Sequence, residues 1–131
     1  MNNDKIIYPE LSYKIYGILF AAHNEVGGFC NEKQCCDCIE RLLKENHVEY
    51  EREMILPPFF KGEKEGRNRI DFLIKNGDEK IILEIKSKTI LTKEDYYQIK
   101  RYLTATNVKL GILVNFRSKY LVPKRIINSL S

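Results

Sequence analysis

The apolar positions change period several times along the chain, and each change marks an element. Leu11, Ile15, Ile18, Leu19 and Ala22 recur at helical spacing, which predicts a first helix over about residues 10–25. Gly27-Gly28 stops it. Cys35, Ile39, Leu42 and Leu43 form the apolar stripe of a second helix from about Glu32 to Asn46. HVEYEREMIL (47–56) reads as a strand on Val48, Tyr50 and Met54, and Pro57-Pro58 ends its pairing because proline has no N–H to donate. RIDFLI and KIILEIKS then flank Lys75-Asn76-Gly77-Asp78, and Asn-Gly between two apolar runs predicts a β-hairpin. Thr92 is placed to cap a helix over about 93–106, with Asp95 as its capping-box partner. Val108 to Phe116 is nearly continuous apolar sequence with β-branching, the pattern of a strand buried on both faces. The tail YLVPKRIINSL is short and has no clear period. Helix, helix, strand, hairpin, helix, strand predicts an α/β fold, a mixed sheet flanked by helices.

Composition narrows the class. The 131 residues suffice for one domain, 1–131, with a sizeable core; 44% hydrophobic and 31% charged residues are ordinary for a globular chain. No apolar run approaches the ~18 residues of a membrane span. MNNDKIIYPE carries acid and proline where a signal peptide needs an apolar stretch, so the expected compartment is the cytoplasm. There Cys30, Cys35, Cys36 and Cys38 are expected to be free thiols. Their spacing matches no recognised zinc or iron–sulfur pattern, and Cys35 and Cys38 fall near the apolar stripe of the second helix, where cysteine acts as a small hydrophobe. His23 reads as a helix-end or core residue and His47 as exposed. A formal charge of +4 and a pI near 8.8 agree with a polyanionic partner without requiring one.

The chemistry concentrates on the hairpin. With Asn76-Gly77 as a two-residue loop, Lys75 faces Asp78, Asp71 faces Ile82, and Glu84 is the diagonal neighbour of Asp71 at ~7–8 Å between Cα atoms. A four-residue loop sets Asp71 directly opposite Glu84. In both registers a period of two sends Asp71, Glu84 and Lys86 to one face. Two acids held together in apolar surroundings repel each other and lose hydration, which either raises a pKa or calls for a cation. Mg2+ suits carboxylates and carbonyls and bridges phosphate oxygens. Lys86, at the edge of that site, can orient or help deprotonate a water at the ion and steady charge on a scissile phosphate.

In the following helix Gln98 and Tyr102 are four apart and share a face, with Arg101 beside them, while Tyr96, Ile99 and Leu103 form the buried stripe. Gln98 and Tyr102 therefore need not be core residues, and their face can look toward the hairpin. Lys61, Lys64, Arg67 and Arg69 precede the hairpin, and Lys88, Lys93, Lys100 and Arg101 follow it; these can hold a phosphate backbone, although Glu63 and Glu65 interrupt the first group.

Asp71, then Glu84-Ile85-Lys86, then Gln98 with Tyr102, resembles the D…E-x-K…Q-x-x-x-Y series of PD-(D/E)xK nucleases, in particular the recombination-exonuclease-like branch. AAHNEVGGFCNEKQC resembles the opening of the GxxExxY family, a small single-domain group of that class, and LTKEDYYQIKRYL and LGILVNF are similar to its second half. Residues from about 10 to 128 can be laid along it. The resemblance implies a restriction-endonuclease-like αβββαβ core with an extra N-terminal helix. It implies Asp71, Glu84 and the Ile85 carbonyl as metal ligands, Lys86 as the catalytic lysine, Glu32 as an extra acid near the metal, and Gln98 and Tyr102 as residues that position the lysine or a phosphate. Two departures stand out: one residue more separates Gly28 from Glu32 than the family name prescribes, and Cys35 occupies the tyrosine position. Glu25 is an alternative to Glu32. The implied activity is Mg2+-dependent hydrolysis of nucleic acid, DNA ahead of RNA, with Mn2+ able to substitute; phosphate contacts are expected from Lys88, Arg101, Arg69 and Lys100. The small size hints at a homodimer or a larger complex. The alternative is a catalytically silent nucleic-acid- or protein-binding module on the same fold.

Overall fold

Strands join in sequence order in this chain, and one helix is needed to reverse direction among them. The computed structural model describes residues 7–128; residues 1–6 of the acidic, proline-containing start and residues 129–131 of the tail lie outside the described residues. The elements are α1 (Pro9–Val26), α2 (Glu32–Glu45), β1 (Glu49–Leu56), β2 (Asn68–Asn76), β3 (Glu79–Lys86), α3 (Lys93–Thr106), β4 (Leu110–Asn115) and β5 (Lys124–Ile127). The sheet runs β1-β2-β3-β4-β5. Its β3–β4 pair is parallel and the other pairs are antiparallel. A parallel pair cannot be closed by a tight turn, so α3 is the crossover between β3 and β4.

Each helix starts where its sequence allows. Pro9 opens α1, where its missing N–H costs nothing. Asn31 caps α2 through a reciprocal pair: the Gln34 N–H donates to Asn31 Oδ1 at 2.8 Å, and the Asn31 N–H donates to Gln34 Oε1 at 2.9 Å. This fixes Glu32 as the first residue of α2. The Thr92 N–H donates to Asp95 Oδ2 at 2.7 Å, so the expected capping box sets the start of α3.

The helices bury their stripes on opposite faces of the sheet. Ile15, Leu19, Ile39 and Leu43 of α1 and α2 pack with Phe72, Ile74, Leu83 and Ile112. Ile99 and Leu103 of α3 pack with Ile82, Leu113 and Ile126. Because β4 is covered on both sides, all six of its residues are buried. The edges differ from the centre as edges must: β1 exposes Glu49, Glu51 and Glu53, and β5 is only four residues long. That short β5 is the order hidden in the tail, tied to α1 by Arg125, which donates to Ser12 Oγ at 2.9 Å and to the Ile7 carbonyl at 3.0 Å. Among the described residues no helix is long and apolar enough to cross a membrane.

The hairpin forms, but one residue out of the expected two-residue register. Asn76 pairs with Glu79 and Phe72 with Leu83, so the loop is Gly77-Asp78 and Asn76 belongs to the strand. The positive φ falls on Gly77 alone, at 60°, and a turn with a left-handed residue only at its first central position puts glycine there rather than asparagine. The shift places Asp71 directly across from Glu84, the outcome expected of the longer loop.

Gly111 on β4 permits the close seat of α3. A Cβ there would lie 2.8 Å from Ile99 Cδ1, 3.1 Å from its Cγ1 and 3.3 Å from Leu103 Cδ1, and Ile99 is fully buried with no room to retreat. Gly111→Ala is expected to lower stability by about 1–3 kcal/mol through overpacking, measured as a lower urea midpoint at unchanged slope. A midpoint equal to the wild type's would show that α3 rides more loosely than this.

Candidate active site

Beyond the Phe72–Leu83 pair the β2–β3 ladder stops, and side chains replace backbone as hydrogen-bond partners. The Asp71 N–H donates to Glu84 Oε2 at 2.8 Å, and the Ile85 N–H donates to Asp71 Oδ2 at 2.8 Å. Each carboxylate takes the role that a carbonyl has in a continued ladder, so neither N–H is orphaned where the strands part.

Simple alternation does not deliver all three groups to one face, as had been expected. On β3 it holds: Ile81, Leu83 and Ile85 pack with α1 and α2, Ile82 packs with α3, and Glu84 and Lys86 follow Ile82. On β2 it breaks. Phe72 and Ile74 join the α1–α2 layer, yet Ile70 joins Leu73 in the α3 layer. The facing residue of β1, Glu53, has φ 56°, and the Glu53–Asp71 pair is missing from a ladder that holds on either side of it. A left-handed backbone costs a non-glycine residue about 1–2 kcal/mol. This kink turns Asp71 in toward β3, and the pair of acids meets in the gap between the strands.

The site is dry. Glu84 is only 2% exposed. Burial, then the charge of Asp71, pushes the Glu84 carboxyl well above its ordinary range, against the Asp71 N–H and the Lys86 charge. Burial likewise pushes Asp71 up to about 6, against the Ile85 N–H and Lys86. Lys86 donates from Nζ to Gln98 Oε1 at 2.9 Å and lies 4.0 Å from Asp95 Oδ1. The loop after it is pinned by Asn115, whose side chain accepts from the Lys88 N–H at 3.1 Å and donates to the Lys88 carbonyl at 2.8 Å.

Glu32, Lys33, Cys36, Arg52, Glu53, Arg69 and Asp71 line a hollow of about 230 Å³ on the other side of Asp71. The charge of Glu32 raises the pKa of both Asp71 and Glu84, whereas Glu25 is ion-paired with Arg41. Of the two candidate extra acids, Glu32 is the one that shares space with Asp71. Among the described residues no three His, Cys, Asp or Glu side chains form a cluster able to hold an ion. A divalent cation would thus depend on the Asp71 and Glu84 carboxylates with backbone oxygen, such as the Ile85 carbonyl, and water. That donor set suits a hard ion that keeps part of its hydration. The residues fit: the buried Glu84 and half-buried Asp71 carboxylates both feel the Lys86 ammonium, and that ammonium is already bonded to Gln98.

Tyr102 is a correction. It is buried at 2% exposure, its hydroxyl accepts from the Arg69 N–H at 3.3 Å, and its ring meets Phe59 edge-on at 6.4 Å between centroids. The buried stripe of α3 is Asp95, Ile99, Tyr102 and Leu103, with Tyr96 only half-buried. A stripe that begins on an aspartate is not seen by an apolar count, and the face was placed one position off. Gln98 is half-buried and does reach Lys86. Of the expected phosphate-binding cations, Lys88 bonds both oxygens of Asp95, at 2.9 and 3.0 Å, and Arg69 lies 3.7 Å from Glu53. Lys100 and Arg101 are exposed.

Asp95, Asn115, Glu53 and Cys36 were missed. Burial opposes ionisation of Asp95, but the Thr92 N–H, the bond from Lys88 and the nearby Lys86 outweigh it and hold its carboxyl below the usual value. Its capping position was legible, and its second role was not. Cys36 lies four residues after Glu32, on the same helical face, a spacing that could have placed it. Burial, then the charge of Asp71, keeps its thiol protonated. All four cysteines are free. His23 Nε2 is within hydrogen-bond distance of the Phe116 and Ser118 carbonyls, a structural tie from α1 to the end of β4, and His47 is exposed.

A mixed sheet with an open strand fork, two acids and a lysine defines the restriction-endonuclease-like α/β class. Residues 9–126 match the profile of the PD-(D/E)XK nuclease superfamily, and the chain belongs to it. Comparison with curated proteins finds no significant match.

In metal-free buffer the raised acids make stability fall as pH rises: between the ordinary carboxylate range and about 6 the folded state holds protons that the unfolded chain has released. Asp71→Asn is expected to flatten this slope, so that wild type loses more of its melting temperature than the variant between about pH 4 and pH 7. Parallel pH profiles for the two proteins would contradict the burial of the acids.

Proposed function

We propose that the chain acts as one domain, 1–131, that hydrolyses phosphodiester bonds of nucleic acid with a divalent metal, DNA in preference to RNA. The observation that carries the reading is the crossed pair of bonds between Asp71 and Glu84 and each other's strands, with Lys86 held beside them by Gln98. In this reading Asp71, Glu84 and the Ile85 carbonyl hold the ion and Glu32 adds a further acid from α2. Mg2+, with Mn2+ able to replace it, would there supply a template for water and phosphate and would offset the charge of the acids. Lys86 presents its ammonium to the scissile phosphate and stabilises the charge that grows in the transition state. Gln98 is a positioning residue that fixes the Lys86 Nζ, and Asp95 holds the local field without taking the lysine's proton. Tyr102 supports Arg69 and the β2 backbone from below, and Lys88, Arg69, Lys100 and Arg101 surround the path of the phosphates. The finer family placement is the GxxExxY group, supported by the position of Glu32 at the start of α2 beside Asp71. A cytoplasmic protein, alone or as a homodimer, accords with the free thiols.

Labelled DNA and RNA incubated with Mg2+, Mn2+ or EDTA test this. Cleavage is expected only with metal, and Glu84→Gln and Lys86→Ala are each expected to lower the rate by at least about a hundredfold while the fold persists by circular dichroism. Metal-independent cleavage, or full activity in Lys86→Ala, would refute it. Binding without cleavage under every condition would leave the silent module.

A further inference from the structure

The four basic residues around the site divide sharply. Lys88 and Arg69 face carboxylates, Asp95 and Glu53. Lys100 and Arg101 have no ion pair among the described residues, and both line a separate surface groove of about 720 Å³. One wall of this groove is α3, with Tyr97, Lys100, Arg101 and Thr104; the other wall includes Phe59 from the loop between β1 and β2. Tyr97 is 48% exposed although it is aromatic. Phe59 is fixed from behind by its edge-on contact with Tyr102. Glu94 is the one acid on the lining, in the first turn of α3, where the helix dipole favours it.

We infer that this groove binds a single strand of nucleic acid, which makes unpaired strands the substrate class of the site; the inference rests on the chain acting on nucleic acid. Two aromatic side chains, Phe59 and Tyr97, line the groove, where a ring can stack on an unpaired base, and two cations beside them, without an ion pair among the described residues, offer charge to its phosphates. A duplex keeps its bases stacked inward and can use the cations only. α3 stands between the groove and the site. Tyr97 and Arg101 are each next in sequence to a residue of the inner face, Gln98 and Tyr102, and Gln98 holds Lys86. A strand whose phosphate lies at Lys86 therefore has the groove one helix face away.

Anisotropy with a labelled 15-nucleotide DNA strand, the same RNA strand and the blunt DNA duplex, all in EDTA, reads the inference directly. The single strands are expected to bind more tightly than the duplex. Tyr97→Ala is expected to weaken them by roughly tenfold or more and the duplex by less than about twofold, and Tyr97→Phe to restore single-strand binding. The double variant Lys100→Ala, Arg101→Ala is expected to weaken both forms and to flatten their salt dependence. Tyr13, 81% exposed on α1, is the control, and Tyr13→Ala is expected to change none of the affinities. No binding, tighter duplex binding, or equal loss for strand and duplex in Tyr97→Ala would overturn the groove. The two readings fail differently: metal-dependent cleavage that ignores strandedness and Tyr97 removes the groove and keeps the nuclease, whereas Tyr97-sensitive strand binding with no cleavage in any metal keeps the groove and removes the nuclease.

Discussion

Two strands of a sheet normally stay together because every N–H between them has a carbonyl to meet, and in this protein the exchange is interrupted at one level by two carboxylates. The Asp71 and Ile85 N–H groups bond the acids themselves. The acids are therefore part of the sheet as well as part of the site. An amide in their place keeps an acceptor for each N–H, whereas a methyl group leaves a buried donor without a partner, at a cost of about 1–3 kcal/mol. The same arrangement explains why the site is electrostatically tense. Carboxylates needed as hydrogen-bond acceptors cannot be moved to water, so their charge must be offset where they stand.

The offset comes from a small hierarchy of cations and their holders. Lys86 is the cation that acts on both acids, and Gln98 Oε1 accepts a hydrogen bond from its ammonium without offsetting its charge. Asp95 could have neutralised it, but at 4.0 Å it is the weaker partner, because Lys88 bonds Asp95 at 2.9 Å. Lys88 thus keeps Asp95 from competing for Lys86. Asp95 is also the residue that closes the start of α3. One buried carboxylate sets where the helix begins and how Lys86 is balanced, and the two roles agree because the lysines and the cap are close in sequence.

Much of this was legible in the chain and part was not, for reasons that can be named. Helix limits followed from period and, for α3, from capping: Thr92 and Asp95 behave as short-range chemistry requires. That Asp71 and Glu84 come together on the hairpin was also readable, since either register makes them neighbours, but the kink rather than alternation turns Asp71 toward β3. Register itself was read one residue off, since Asn-Gly fits two turn types and only the backbone at Gly77 decides between them. The kink at Asp71 was invisible because it depends on Glu53, a strand residue in a left-handed conformation with no local sequence signal. Tyr102 was misplaced because the buried stripe of α3 begins on Asp95, which an apolar count passes over, while the fold buries the Tyr102 ring and uses its oxygen on the Arg69 N–H. Local chemistry is written locally, and a residue whose surroundings come from two distant strands is not.

The topology explains why so small a protein can hold such a site at all. In a sheet whose strands follow one another in sequence, only the parallel β3–β4 pair demands a long connection. That connection begins directly after Lys86, at the end of the strand that carries Glu84. The helix it must contain is obliged to pack back on the sheet beside the fork. Gln98 reaches Lys86 and Tyr102 reaches β2 because α3 packs back on the sheet, and Gly111 lets it lie close. The outer face of the same helix, with Tyr97, Lys100 and Arg101, is then left to line a surface groove without any further element being needed. A single crossover thus supplies the lid of the second core, the holder of the lysine and one wall of a groove.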